Sequence, residues 1–220
     1  MWTLPNILTV ARICLAPVIA LLPFINGSAP KIAAFFIFLA AAISDIIDGW
    51  YARRYQVVTD LGKLLDPLAD KLLLLATLVP IFWMTRHPTL LTEGAIDYRI
   101  PWWGSLPVWV AILLLGRELL MTLFRAQAQK RGVIIAANKT GKLKTIFQNC
   151  FVGGTIAWFA WKDLLVETRW SGRYRDLWNE FHGTFIAVTL GIAVVLTAWS
   201  LAVYLYQYRS LLRSTGQPAA

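Results

Sequence analysis

Apolar runs of bilayer length recur six times along this chain, and charge is largely confined to the stretches between them. A backbone crossing hydrocarbon must satisfy its own N–H and C=O groups, which leaves helices or a closed barrel. Runs near 20 residues suit helices. The expectation is an all-α integral membrane protein with six transmembrane helices at residues 7–24, 32–47, 64–84, 108–124, 143–161 and 181–206. The second continues as helix to about residue 54, a turn at 26–30 closes the first, and a polar, proline-bearing loop fills 85–107. A short interfacial segment opens the chain, and residues 214–220 are expected to be disordered. No basic stretch precedes the first apolar run and no small-x-small site ends it, so a cleavable signal is not expected. Residues 1–220 read as one membrane domain, with 58% hydrophobic and only 15% charged residues.

The placement of charge sets an orientation. With both termini cytoplasmic, 14 Lys and Arg fall on the inner side and 7 on the outer, the sense of the positive-inside rule. A net charge of +9 spread in this way points to anionic lipid and phosphate-bearing substrates rather than nucleic acid. Trp83, Trp102, Trp103, Trp109, Trp161, Trp170 and Trp178 fall at the outer ends of the spans, as an interfacial aromatic belt would. Cys14 and Cys150 lie inside apolar runs and read as core-filling thiols. His87 and His182 read as ordinary outer-loop residues.

One stretch breaks the apolar pattern with purpose. Asp45 and Asp48 stand i,i+3 at the end of the second run, and Asp66 and Asp70 stand i,i+4 at the start of the third. Either spacing puts both carboxylates on one helical face. Acids beside hydrocarbon are costly unless paired or hydrated, and mark functional sites. Four of them suit a hard divalent cation, Mg²⁺ or Mn²⁺, held by oxygen. The plainer alternative is buried acids neutralised by Arg53 and Lys71. Nearer the start, Asn6, Thr9 and Arg12 share a helical face. They read either as a helix cap with a snorkelling arginine or as a border of the acidic site.

The acidic stretch spells D-x2-D-G-x2-A-R-x8-G-x3-D-x3-D, eight fixed positions over 26 residues. It resembles in full the signature of the CDP-alcohol phosphotransferase family, whose members often also begin with PN-x2-T-x2-R. The resemblance implies two Mg²⁺ or Mn²⁺ ions held by Asp45, Asp48, Asp66 and Asp70. It also implies a CDP-binding face from Gly49, Ala52, Arg53 and Gly62 with Asn6 and Thr9, and Asp70 as general base. Gly49 and Ala52 read alternatively as close-packing residues, and Arg53 as an inner-side anchor. Gly62 is expected to permit the turn that brings the two aspartate pairs together. The implied reaction is displacement at the β-phosphorus of a CDP-linked lipid by an alcohol, with CMP leaving, and the implied assembly is a homodimer.

A second polar cluster bears on the alcohol. Gly116-Arg117-Glu118, Arg125 and the Lys139–Thr145 segment resemble the GRE and GK-x-KT elements of the bacterial phosphatidylglycerophosphate synthases. Arg117, Arg125, Lys139, Lys142 and Lys144 would then bind a phosphate on the acceptor, glycerol 3-phosphate, with CDP-diacylglycerol as donor. The charge count turns the acidic stretch toward the cytoplasm, and the resemblance implies a bacterial cytoplasmic (inner) membrane. The alternatives for these groups are a structural Arg117–Glu118 pair and lysines anchored at head groups. Cardiolipin synthases and inositol-phosphate-using enzymes are the rival members. A divalent cation transporter is the rival of another class, disfavoured because the motif acids sit on one side of the bilayer.

Overall fold

A computed structural model describes residues 3–55, 59–87, 97–130 and 139–207. Six long helices carry the described chain: α1 (Leu4–Leu21), α2 (Ser28–Arg54), α3 (Asp60–Arg86), α4 (Val108–Lys130), α5 (Lys139–Thr168) and α6 (Arg173–Gln207). Four of them, α1 with the short 3-10 turn after it, α2, α3 and α6, are long and apolar enough to cross a membrane. α4 carries Arg117 and Glu118 in mid-helix, which lowers its apolar character. The tail at 214–220 lies outside the described residues.

Element types match the sequence pattern and the boundaries shift outward. α1 starts at Leu4 rather than Ile7, with Pro5 in its first turn, where a missing N–H costs nothing. Asn6, Thr9 and Arg12 therefore lie on α1 itself and not on a separate opening segment. α5 and α6 overrun their expected apolar cores at both ends, because their polar terminal turns continue the same helix. His182 sits inside α6 rather than in a loop. Both cysteines face outward instead of filling the core.

α1 packs on α2 and α3, α2 on α5, α5 on α6, and α4 on α6 and α3. Ile19, Phe38, Leu78, Phe151, Phe159 and Leu190 lie in the shared core. Outside it, Leu21, Phe36, Ile46, Ile112, Leu123, Val195 and many like them are exposed. An apolar surface on that scale suits lipid rather than water.

Alternation of direction sorts the chemistry between two ends. One end gathers the N-terminus of α2, the C-termini of α3 and α5, and the starts of α4 and α6, along with the seven belt tryptophans. There Trp161 meets Trp170 and Trp178 edge-on, and Trp103 donates its indole N–H to the Ala187 carbonyl at 3.1 Å. α2 begins beside Gly27, whose φ of 99° favours glycine. Its first N–H, from Ser28, is taken by the Glu167 carboxylate of α5 at 2.6 Å, with the Ser28 hydroxyl donating to the same carboxylate at 2.5 Å. A carboxylate at a helix N-terminus is favoured by the exposed N–H groups and the helix dipole.

One turn further along, Lys31 is fully buried and pairs with Asp163 of α5 at 2.5 Å. Its ammonium also donates to the carbonyls of Ile25 at 3.1 Å and Gly27 at 3.4 Å. The Tyr98 hydroxyl donates to the other oxygen of Asp163. Burial, and then the Asp163 carboxylate, push the Tyr98 phenol far above its ordinary range, so it remains a donor. The cluster pins the 97–107 connection, α2 and α5 together. Asp163→Asn should leave Lys31 charged and unpaired in the core, a loss of about 3–5 kcal/mol. A Lys31→Met, Asp163→Leu pair should lose markedly less, as read by thermal unfolding of the detergent-solubilised protein.

Candidate active site

The opposite end holds the N-termini of α1, α3 and α5 and the C-termini of α2, α4 and α6, and it gathers every acid of the motif. Asp45 and Asp48 lie on the last turns of α2, and Asp66 and Asp70 on the first turns of α3. The residue that draws them together is Arg12 of α1, only 2% exposed. Its Nη1 pairs with Asp45 and lies 3.5 Å from Asp70, and its Nη2 pairs with Asp48 at 2.5 Å. Asp66 accepts a hydrogen bond from the Thr9 hydroxyl at 2.8 Å, and Nη2 of Arg12 reaches that hydroxyl at 3.5 Å. The face carrying Asn6, Thr9 and Arg12 thus borders the acidic site, and Arg12 does not snorkel.

Asn6 has a different partner from the cap its sequence position suggested. Thr59 caps α3 by accepting the Gly62 N–H at 3.0 Å, and donates its own hydroxyl to the Asn6 side-chain oxygen at 2.9 Å. Gly62 lies within the first turn of α3, so its role is close approach rather than a bend. A Cβ there would stand 2.9 Å from the Asn6 oxygen and 3.1 Å from the Thr59 hydroxyl. The missing side chain leaves room for the Asn6 and Thr59 side chains where the starts of α1 and α3 meet.

A cavity of about 110 Å³ opens beside the acids. Arg12, Asp45, Asp70, Lys71, Glu118 and Lys144 give it its charge, and Thr145, Gln148 and Asn149 of α5 add uncharged polar groups. Lys144 and Arg117 both pair with Glu118, Arg117 at 2.8 Å, and the Arg117 Nε donates to Ser200 of α6 at 3.3 Å. The Arg117–Glu118 pair, the structural alternative, forms within α4, Lys144 of α5 joins it, and of the two cations only Lys144 also lines the cavity. Arg125 and Lys142 are exposed and do not line it. Gly49 and Ala52 follow Asp48 along α2, both partly exposed. The side chains of Arg53 and Lys139 lie outside what the structure describes.

The four motif acids and Glu118 stand against Arg12, Lys71, Lys144 and Arg117, one acid in excess, and an all-oxygen donor set fits a hard cation. Among the described residues, no three His, Cys, Asp or Glu side chains are gathered closely enough to hold a metal as they stand. The acids converge on Arg12 instead. Sequence reading missed that role, although the signal was there: an arginine on the same helical face as Thr9, in the first turns of a helix whose start falls on the same side of the bilayer as the acids.

The fold and this site define a multi-pass helical membrane protein with an acidic centre at one end of its bundle. The chain belongs to the CDP-alcohol phosphatidyltransferase family, whose pattern matches residues 2–206. Members of that family generally depend on a divalent metal. The chain is similar to the CDP-diacylglycerol–glycerol-3-phosphate 3-phosphatidyltransferase of Escherichia coli K12, 31% identical over 95% of this chain and 96% of that protein. The protein of the same name from Bacillus subtilis is 36% identical over 66% of this chain and 72% of its own length. A cardiolipin synthase (CMP-forming) from Oryza sativa subsp. japonica is 34% identical over 96% of this chain, which spans 59% of that protein.

The contact between Gly62 and Asn6 is open to a direct check. Gly62→Ala should lower stability by about 1–3 kcal/mol through overpacking. Asn6→Ala in the same chain should recover part of that loss, since it removes the atom the new methyl would strike. Thermal melts of the two single variants and the double variant give the coupling.

Proposed function

We propose that this protein transfers a phosphatidyl group from CDP-diacylglycerol to sn-glycerol 3-phosphate, giving phosphatidylglycerophosphate and CMP. The observation that carries the reading is the convergence of Asp45, Asp48 and Asp70, from two helices, on one end of the bundle beside a cavity that also holds Lys144 and Lys71. An acidic centre next to cationic groups suits a reaction that brings a pyrophosphate and a phosphorylated alcohol together. The bacterial relatives carry the name of this activity along most of their length.

In this reading an acceptor hydroxyl attacks the β-phosphorus, a new O–P bond forms, and the bond to CMP breaks. Asp70, on the rim of the cavity and 62% exposed, takes the hydroxyl proton. Asp45, Asp48, Asp66 and Asp70 would hold Mg²⁺ or Mn²⁺, two ions in the arrangement expected from the sequence. The metal supplies charge neutralisation at the pyrophosphate. Thr9 orients Asp66, and Asn6 with Thr59 fixes the start of α3 on which Asp66 and Asp70 stand. Lys144 and Lys71 meet the acceptor phosphate, with Arg117 holding Glu118 in place. The rest of the work is positioning and electrostatics.

The same proposal puts the protein in the bacterial cytoplasmic membrane as six spans, with this end and both termini facing the cytoplasm, where soluble glycerol 3-phosphate is available. A homodimer is part of the same proposal. A second reading, a cardiolipin synthase using phosphatidylglycerol as acceptor, draws support from the rice relative.

Purified protein with CDP-diacylglycerol and Mg²⁺ or Mn²⁺ should release CMP when glycerol 3-phosphate is added. Faster release with phosphatidylglycerol or inositol 1-phosphate would move the enzyme within its family. Asp70→Asn should lower kcat by about 10²- to 10⁴-fold, the usual worth of a general base. Chelation with EDTA should abolish turnover, and Mg²⁺ or Mn²⁺ should restore it.

A further inference from the structure

A guanidinium keeps its charge at any pH a protein survives, and it has five donors and no acceptor. Arg12 directs its donors at the motif. One terminal nitrogen serves Asp45 and approaches Asp70, and the other serves Asp48 and reaches the Thr9 hydroxyl, while the buried Nε has no partner. The same carboxylates are the donors available to a divalent cation. The guanidinium takes one oxygen each of Asp45, Asp48 and Asp70, and a metal drawn to these carboxylates would meet it as a like charge at short range.

Exposure gives the competition a direction. Asp45 and Asp70 are 47% and 62% exposed at the cavity, whereas Asp48 is 7% exposed and Arg12 2%. A cation arriving from the cavity meets the open Asp45 and Asp70 before the buried Asp48, with Arg12 reaching the same cavity wall. The guanidinium holds the same groups from within the bundle.

We propose that Arg12 is the resident counter-cation of the acidic centre, and that a divalent metal binds by displacing its guanidinium from the carboxylates. This rests on the reading that the motif acids bind such a metal. Arg12 keeps the metal-free protein folded by neutralising acids that would otherwise repel one another across α2 and α3. It also sets the metal affinity below what the acids alone would give. Once displaced, the guanidinium lies beside the metal with donors free for anionic oxygen, which suits the pyrophosphate of the donor lipid. Metal and phosphate are then linked. Each makes room or provides a partner for what the other displaces.

The test is Mn²⁺ binding to the full-length detergent-solubilised chain, read by the loss of the free-ion electron paramagnetic resonance signal, together with melting curves at zero and saturating Mn²⁺. In Arg12→Gln, Mn²⁺ should bind at least tenfold tighter than in the unaltered protein. The metal-free melting temperature should fall, and the rise on adding Mn²⁺ should be larger. Arg12→Lys, which keeps the charge but cannot bridge three carboxylates, should bind with intermediate affinity, and it serves if the glutamine variant does not fold. Affinity unchanged or weaker in both variants overturns the proposal, provided the unaltered protein binds Mn²⁺ and Asp48→Asn loses that binding. No Mn²⁺ binding in the unaltered protein, or binding indifferent to Asp48→Asn, overturns instead the reading of the acids as a metal site.

Discussion

A carboxylate at the edge of hydrocarbon must find a positive charge, and at the acidic end of this bundle one guanidinium serves three. Arg12 comes from α1, Asp45 and Asp48 from α2, and Asp70 from α3, so the pairing is also what ties the first three helices together at that end. A second, uncharged contact accompanies it. Asn6 lies against Gly62 where α1 meets α3, about two turns from Arg12 and on the same face as Thr9, which reaches Asp66. The close packing of two helix starts and the electrostatics of the site therefore share one face of α1.

The other end of the bundle solves the same problem differently. Lys31 and Asp163 are both sealed from solvent, with two backbone carbonyls taking the remaining ammonium protons and Tyr98 donating to the second Asp163 oxygen. That pair joins α2 to α5, the helix that also carries Lys144. A long helix with Asp45 and Asp48 at one end is thereby fixed at the other to the helix supplying a cation to the cavity. The spatial relation between the acidic centre and Lys144 rests on contacts that include groups far from either.

Much of this was legible in the sequence. Hydrocarbon imposes so strict a demand on the backbone that six apolar runs gave six helices, and the i,i+3 and i,i+4 spacings put the acids on shared faces as expected. What was not legible were the pairings between segments. Arg12 read equally well as a residue reaching for head groups, because nothing local says that α1 lies beside the ends of α2 and α3. Gly62 read as a bend because glycine permits bends, yet its use is to leave space for Asn6. Lys31 counted as one more basic residue on the outer side, with no local sign that Asp163, 132 positions away, would bury it. The cysteines were misplaced for a related reason, since in a membrane protein apolar surroundings do not imply the core.

The two ends of α2 are held by ion pairs of very different exposure, and dissolved ions act on them unequally. Mobile ions screen charges that water can reach and act far less on sealed ones. Lys31 and Asp163 lie beyond their reach, while Asp45 and Asp70 stand open at the cavity. Raising the ionic strength therefore weakens the hold on Asp45 and Asp70, and leaves the sealed Arg12–Asp48 pair and the far end of the same helix intact. Salt thus acts on the open acids of the site while the far end of α2 stays held.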